Sequence, residues 1–210
     1  MQPGADDNIQ HLVFDMGGVL VEIDWHGKIS QLLGKDIPFN EIHALWAASP
    51  AVNDFEHGRS DFDTFTEAFI AEQELQISHS DFQREFLAIV IGEFAGISEL
   101  LASLQPHYTL SLLSNTNTAH WQHIIEHTAF LSWIDNPFTS IEFGLMKPVP
   151  AIYQRLIKEL KCQPENILFF DDGLANVMAA RAEGLRAEQV FGPEDIKRVL
   201  KNYSLIPSNG

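Results

Sequence analysis

Asp15 closes the short apolar run His11-Leu12-Val13-Phe14, and Gly17 and Gly18 follow directly behind it. A buried strand that ends on one carboxylate and breaks into two glycines makes poor sense as packing. It makes good sense as a carboxylate held at the carboxyl edge of a parallel sheet, where open α/β proteins bind their ligands. The glycines let backbone come close to whatever binds there. Two further apolar runs end in the same way, Leu110 to Leu113 on Ser114-Asn115 and Ile167 to Phe170 on Asp171-Asp172. Lys147 precedes Pro148, which disfavours helix at residue 147 and sets the lysine in an extended or turn segment. Singly, each has an ordinary use as a cap, a turn residue or a solvated charge. Jointly, carboxylates, a hydroxyl, an amide and an ammonium at one sheet edge form a binding site. Position 17 carries no second acid.

The elements that must position these residues follow from the pattern of apolarity. Leu12 to Phe14, Leu110 to Leu113 and Ile167 to Phe170 are apolar without alternation, as parallel strands covered on both faces are. Helical patterns run over Thr118 to His127, Ala151 to Leu160 and Asn176 to Glu183, the last stopping at Gly184 as a C′ glycine. This rhythm predicts an α/β fold built on a doubly wound parallel sheet. The stretch 22–94 breaks it. No strand pattern is evident there, and Phe62, Phe65 and Phe69, or Phe82 and Phe86, recur at helical spacing. Asp61 and Ser80 stand where N-caps would. The prediction is an all-helical cap over 22–94 inserted into a core made of 1–21 and 95–210.

A chain of 210 residues with 45% hydrophobic and 20% charged residues is expected to fold as a packed core with a smaller insert. The net charge of −16 argues against nucleic acid and against anionic membranes as partners. An anionic small substrate stays compatible if the site supplies its own positive charge. The single cysteine, Cys162, excludes an intrachain disulfide and suits a reduced, partly buried thiol in a cytoplasmic protein. The first residues lack the basic and apolar regions of a signal peptide, and no apolar run is long enough to span a bilayer. Residues 1 to 8 and 204 to 210 read as loose ends.

Four runs, HLVFDMGGVL, LSLLSNTN, GLMKPVPAIY and ILFFDDGLANVMAARAEG, resemble in order the four motifs of the haloacid dehalogenase-like hydrolases. The resemblance covers essentially the whole chain, with 22–94 in the place of the helical cap. Within that superfamily the chain looks most like bacterial sugar-phosphate phosphatases such as α-D-glucose-1-phosphate phosphatases, which also carry glycine two residues after the nucleophile. The resemblance implies that Asp15 attacks phosphorus and forms an aspartyl-phosphate. It implies Mg2+ held by Asp15, the Gly17 carbonyl and Asp172. Ser114 hydroxyl and the Asn115 N–H would bind phosphate oxygens, and Lys147 would add a point charge to Asp15 and the phosphoryl group. Asp171 would support the metal from behind. Asn176, four residues after Asp172, would orient Lys147 or metal-bound water.

Gly17 departs from the pattern of most phosphatases of the superfamily, which carry there an aspartate that protonates the leaving oxygen. General acid catalysis is worth about 10²–10⁴-fold, a loss that matters less when the leaving group departs easily, as an anomeric oxygen does. Asp24 is a candidate replacement acid, although a cap at the start of the helical insert is its more ordinary use. The resulting expectation is a magnesium-dependent phosphomonoesterase acting on a small phosphorylated metabolite, a sugar phosphate such as glucose 1-phosphate. Two alternatives are a catalytically retired member that binds a phosphometabolite or a protein, and a 2-haloacid dehalogenase. The dehalogenase needs no cation, so Asp171-Asp172 opposes it. Monomer and homodimer are both open.

Other features invite chemistry less strongly. His120, His123 and His127 share a helix face, but Trp121 and Ile124 beside them suggest an ordinary amphipathic helix rather than a zinc site. His57 and Arg59 suit a solvated turn between cap helices, with a place facing substrate from the cap the alternative. For Trp25 and Trp46, core packing is the default and a place at the substrate entrance the alternative.

Overall fold

The computed structural model describes residues 8–34 and 37–207. The chain forms β1 (His11–Phe14), β2 (Val21–Ile23), α1 (Trp25–Leu33), α2 (Phe39–Ala48), α3 (Pro50–Glu56), α4 (Phe62–Glu72) and α5 (His79–Leu87). It continues through β3 (Val90–Glu93), α6 (Ile97–Leu104), β4 (Thr109–Ser114), α7 (Thr118–His127), β5 (Asn136–Thr139), α8 (Ser140–Phe143) and α9 (Pro150–Leu160). The last elements are β6 (Ile167–Asp171), α10 (Leu174–Ala182), β7 (Arg186–Gln189) and α11 (Pro193–Asn202). Two compact units result. The described residues of one fall within Met1–Glu22, Glu93–Asn115 and Thr128–Gly210; the other is drawn from Ile23–Gly92 and Thr116–His127.

The first unit is an α/β fold with a five-stranded parallel sheet in the order β5-β4-β1-β6-β7. β1 lies at the centre because Leu12, Val13 and Phe14 have no polar face to offer solvent, and all three are fully buried. From β1 the chain builds outward through β4 and β5, then returns to the other side for β6 and β7. The strand order therefore reverses at β1, and the crevice at its carboxyl end is where a doubly wound sheet binds ligand. Phe14 pairs with Phe170 in register, and their rings stack at 4.9 Å. The edge strands β5 and β7 escape the sequence pattern. β5 contains Pro137, tolerated at a sheet edge because no further strand needs its missing N–H, and β7 is the short polar run Arg186-Ala187-Glu188-Gln189.

The second unit is helical. Phe55, Phe65, Phe69, Phe82 and Phe86 are fully buried and form its core with Ile29, Ile42 and Val52. Burying a side chain of this size stabilises by about 1.5–3 kcal/mol. Trp25 and Trp46 are half-buried and pack against that core. Asp24, Ser49, Asp61 and Ser78 cap α1, α3, α4 and α5 through side-chain oxygens. The Asp61 cap agrees with expectation. Ser80 does not: it lies inside α5, and Ser78 accepts the Asp81 N–H instead. Two serines two residues apart offer the same signal, and the backbone angles select the first.

The expected all-helical stretch 22–94 also differs at both margins, where β2 and β3 pair as a two-stranded ribbon. Strands of three and four residues are too short to print a period of two. The helix α7, expected in the core, groups with the helical unit. His120 explains the grouping: its ring stacks on Phe86 at 4.4 Å and its Nε2 lies 2.9 Å from the Phe86 carbonyl oxygen. Burial lowers its imidazole to about 4, so it packs as a neutral ring. His127 Nδ1 bonds the His123 carbonyl one turn back, within the helix. Arg59, just past α3, pairs with the exposed Asp54 of that helix.

Among the described residues no helix is long and apolar enough to cross a membrane. Cys162 is free and half-buried, and burial raises its thiol. The expected loose ends at 1–7 and 208–210 lie outside the described residues. Residues 204–207 are anchored rather than loose, since Leu205 donates to the Leu200 carbonyl and Tyr108 Oη donates to the Leu205 carbonyl.

Candidate active site

Strand register brings the first two carboxylates together. Phe14 and Phe170 are partners, so Asp15 and Asp171 stand one residue further along adjacent parallel strands. The Asp15 N–H extends that ladder to the Phe170 carbonyl at 2.8 Å. On the other side of β1, Phe14 pairs with Leu112, which sets Ser114 at the same edge.

Lys147 joins them. Its Nζ lies 2.9 Å from Asp15 Oδ1 and 2.6 Å from Asp171 Oδ2, with the lysine side chain 1% exposed. The ammonium also sits 5.5 Å from the centroid of the Phe169 ring. Burial alone would push this ammonium down. The two carboxylates outweigh burial and hold it above its ordinary value. Lys147 is thus a charged group in the interior, kept so by its partners.

Asp15 uses its oxygens unequally. Oδ1 accepts from Lys147 Nζ and, at 2.7 Å, from the Met16 N–H. Among the described residues no donor reaches Oδ2. Burial pushes the Asp15 carboxyl up, Lys147 pulls it down and Asp171 adds to the upward push. Asp171 is fully buried and committed at both oxygens. Oδ2 takes the lysine, and Oδ1 accepts from the Gly173 N–H at 2.8 Å and from Asn176 Nδ2 at 2.9 Å. Asp172 is half-buried, and no side chain among the described residues bonds its carboxylate. Burial first, then the charges of Asp15 and Asp171, push it up to about 6.

Oxygen atoms of Asp15, Asp171 and Asp172 lie within 4.8 Å of one another. Three carboxylates against one ammonium leave a surplus of negative charge in a site that excludes most water. A hard divalent cation with oxygen ligands fits this donor set. Gly18 closes the arrangement. Its φ is +73°, and a Cβ there would stand 2.5 Å from Asp172 Oδ2. Glycine is required on both counts, the left-handed backbone and the close approach.

Within the α/β unit the expected residues Asp15, Gly17, Ser114, Asn115, Lys147, Asp171, Asp172 and Asn176 gather at the end of the central strands. Ser114 is buried, and among the described residues its Oγ makes only a long 3.4 Å contact with the Asn115 carbonyl. Asn176 reaches Asp171 rather than Lys147, so it acts on the lysine's partner. Asp24 belongs to the helical unit and caps α1 by accepting the Gly27 N–H at 2.9 Å.

Two contacts were not expected from the sequence. The Asn115 side chain bonds the backbone of Lys147 on both sides, accepting from its N–H at 2.8 Å and donating to its carbonyl at 2.9 Å. Tyr153 is fully buried in α9 and donates from Oη to the Asn176 carbonyl at 3.0 Å. Burial raises that phenol, with the Asp171 and Asp15 charges acting the same way. Tyr153 carries a signal in hindsight, since a tyrosine beside the apolar stripe Ile152 and Leu156 needs a partner for its hydroxyl.

Comparison with known proteins finds relatives over most of the chain. Residues 9–184 match a family model described as haloacid dehalogenase-like hydrolase. The chain is 24% identical over 198 residues to a D-ribitol-5-phosphate phosphatase of Bacteroides thetaiotaomicron, covering 89% of this chain and 93% of the relative. Among solved structures it is similar to a HAD-family enzyme of the same organism in complex with magnesium and inorganic phosphate. That match has a TM-score of 0.78 at 22% identity and covers 91% of this chain and 98% of the other. A HAD-like hydrolase of Porphyromonas gingivalis aligns with a TM-score of 0.76 at 24% identity, over 95% of this chain and 100% of the other.

Proposed function

The chain belongs to the haloacid dehalogenase-like hydrolases, and from that premise we propose that it is a magnesium-dependent phosphomonoesterase acting on a small phosphorylated metabolite, a sugar phosphate such as glucose 1-phosphate. The observation that carries this reading is the buried Lys147 ammonium between Asp15 and Asp171. It holds one oxygen of Asp15 in place and leaves the other free to attack. The phosphatase class draws further support from the D-ribitol-5-phosphate phosphatase relative.

Asp15 Oδ2 attacks phosphorus. An O–P bond forms to Asp15 while the ester P–O bond breaks, and the electron pair leaves on the alcohol oxygen, which then takes up a proton. Water attacks the aspartyl-phosphate in turn, releasing inorganic phosphate and restoring the Asp15 carboxylate. Ser114 hydroxyl and the Asn115 backbone N–H donate to the phosphoryl oxygens. Lys147 offsets part of the repulsion between the carboxylate and the phosphoryl group. Asp15, the Gly17 carbonyl and Asp172 would hold magnesium, which would supply the remaining charge neutralisation. Asp171, fixed by Asn176 and the Gly173 N–H, keeps Lys147 charged and aimed.

The choice of leaving group follows from Gly17. Without an acid at that position, esters whose alcohol departs easily are favoured, and an anomeric phosphate is such an ester. The three-carboxylate cluster opposes 2-haloacid dehalogenation, because halide displacement gains nothing from a bound cation. Borohydride reduction during turnover, followed by mass spectrometry, tests the pathway. Conversion of residue 15 to homoserine is the expected result. Rapid turnover that never yields this product would contradict a covalent intermediate on Asp15.

A further inference from the structure

The Asn115 side chain forms a closed pair of hydrogen bonds with one peptide segment: Oδ1 accepts the Lys147 N–H at 2.8 Å, and Nδ2 donates to the Lys147 carbonyl at 2.9 Å. This is how a strand pairs with its neighbour, here performed by the Asn115 side chain on Lys147, which is in a turn. Lys147 needs such a hold. Its stem has four carbons and much rotamer freedom, yet its ammonium must reach two carboxylates at 2.9 Å and 2.6 Å at once. The stem length is fixed, so the position of the Lys147 backbone decides whether both contacts are made. Asn115 directly follows the last residue of β4, which is fixed in the sheet by the pairing of Ser114 with Thr139. One amide therefore ties the lysine segment to the rigid sheet.

We propose that the Asn115 side chain is a positioning residue that sets the Lys147 ammonium between Asp15 and Asp171, separately from any contact its backbone N–H makes with phosphate. The inference rests on the phosphatase reading for its kinetic consequence, and on the geometry alone for its structural one. The separation makes it testable, because Asn115→Ala keeps the backbone N–H and removes only the amide. A misplacement of about 1 Å at a reacting centre costs on the order of 10²-fold in rate. Asn115→Ala is expected to lower kcat by about that factor with little change in KM. In a Lys147→Ala background the same substitution should cause no further loss, since the two act as one unit.

The experiment combines this double-mutant cycle with ¹⁵N spectroscopy of lysine ammonium groups in the full-length protein, Lys147→Arg identifying the signal. In the wild type a slowly exchanging Lys147 ammonium signal is expected. In Asn115→Ala the signal should broaden or vanish while the thermal midpoint stays near wild type. Asn115→Asp, of the same size, keeps the acceptor for the Lys147 N–H and loses the donor to its carbonyl, and it carries the test if the alanine variant fails to fold. Additive kinetic losses, or an unchanged ammonium signal in both Asn115 variants, would overturn the proposal. If the wild type releases no phosphate from any ester, the phosphatase reading fails, and the ammonium signal still decides the role of Asn115.

Discussion

Asp15 and Asp171 occupy matching positions on adjacent parallel strands, each one residue beyond the paired and stacked Phe14 and Phe170. The buried ring pair sets the register, and the register sets the carboxylates side by side. Lys147 then makes the pair tolerable by placing a buried ammonium against both. Core packing and site chemistry are thus one arrangement. A slip of one residue between β1 and β6 would turn every side chain to the opposite face and take the site apart.

Gly18→Ala tests how closely the turn after β1 meets Asp172. The left-handed backbone costs a non-glycine residue about 1–3 kcal/mol, and the new Cβ would stand 2.5 Å from Asp172 Oδ2. A lowered thermal midpoint and weaker activation by magnesium are expected, measured by melting and by magnesium titration of activity. An alanine variant with wild-type values for both would contradict the close approach.

Gly17→Asp restores an acid at the position where most related phosphatases have one. Activity toward poor leaving groups, such as glucose 6-phosphate, is expected to be retained or to rise, with about 10²-fold as the lower reach of general acid catalysis. The ratio of kcat/KM for glucose 6-phosphate to that for glucose 1-phosphate measures it. A folded, metal-binding but inactive variant would mean that the glycine supplies needed space instead.

Asp24 separates capping from acid catalysis cleanly, because asparagine caps a helix about as well as aspartate. Asp24→Asn should keep both stability and turnover, whereas Asp24→Ala should lose about 0.5–2 kcal/mol of stability. Denaturant unfolding and steady-state kinetics on both variants give the answer. A stable Asp24→Asn enzyme with turnover cut by two orders of magnitude would make Asp24 the missing acid.

His120 gives the helical unit a pH dependence. Burial lowers its imidazole from 6.5 to about 4, so its folded value lies below its unfolded one. Its neutral form is fully compatible with the folded state above about 6.5, and stability is lost as pH falls from there toward 4. By linkage the loss at pH 5 is on the order of 2 kcal/mol. Urea unfolding between pH 7 and 5 should show this slope in the wild type and lack it in His120→Gln. Equal slopes in the two proteins would place the titration elsewhere.

How much was legible in the sequence follows from how each feature is encoded. Leu12 to Phe14 and Ile167 to Phe170 announce themselves because strands covered on both faces are apolar throughout, and Leu110 to Leu113 does so despite the buried Ser111. β5 and β7 lie at the sheet edges, where Pro137 and the polar Arg186 to Gln189 run are permitted, so no pattern marks them. The site residues Asp15, Lys147, Asp171 and Asp172 stand out as polar groups at strand ends or before a proline. The Asn115 clamp and the Tyr153 hydroxyl bond do not, because each is a partnership across at least 23 residues. The placement of α7 depends on His120 meeting Phe86 across 34 residues, which no local period records.

The most direct test of Asp15 as nucleophile in a magnesium-dependent phosphatase is phosphate release from a panel of esters, with magnesium and with chelator, beside Asp15→Asn. The panel comprises p-nitrophenyl phosphate, acetyl phosphate, glucose 1-phosphate, glucose 6-phosphate and ribitol 5-phosphate. Turnover that requires both magnesium and Asp15, and that favours glucose 1-phosphate over glucose 6-phosphate, is the predicted result. No release from any ester by folded, magnesium-binding protein, or wild-type turnover by Asp15→Asn, would contradict it.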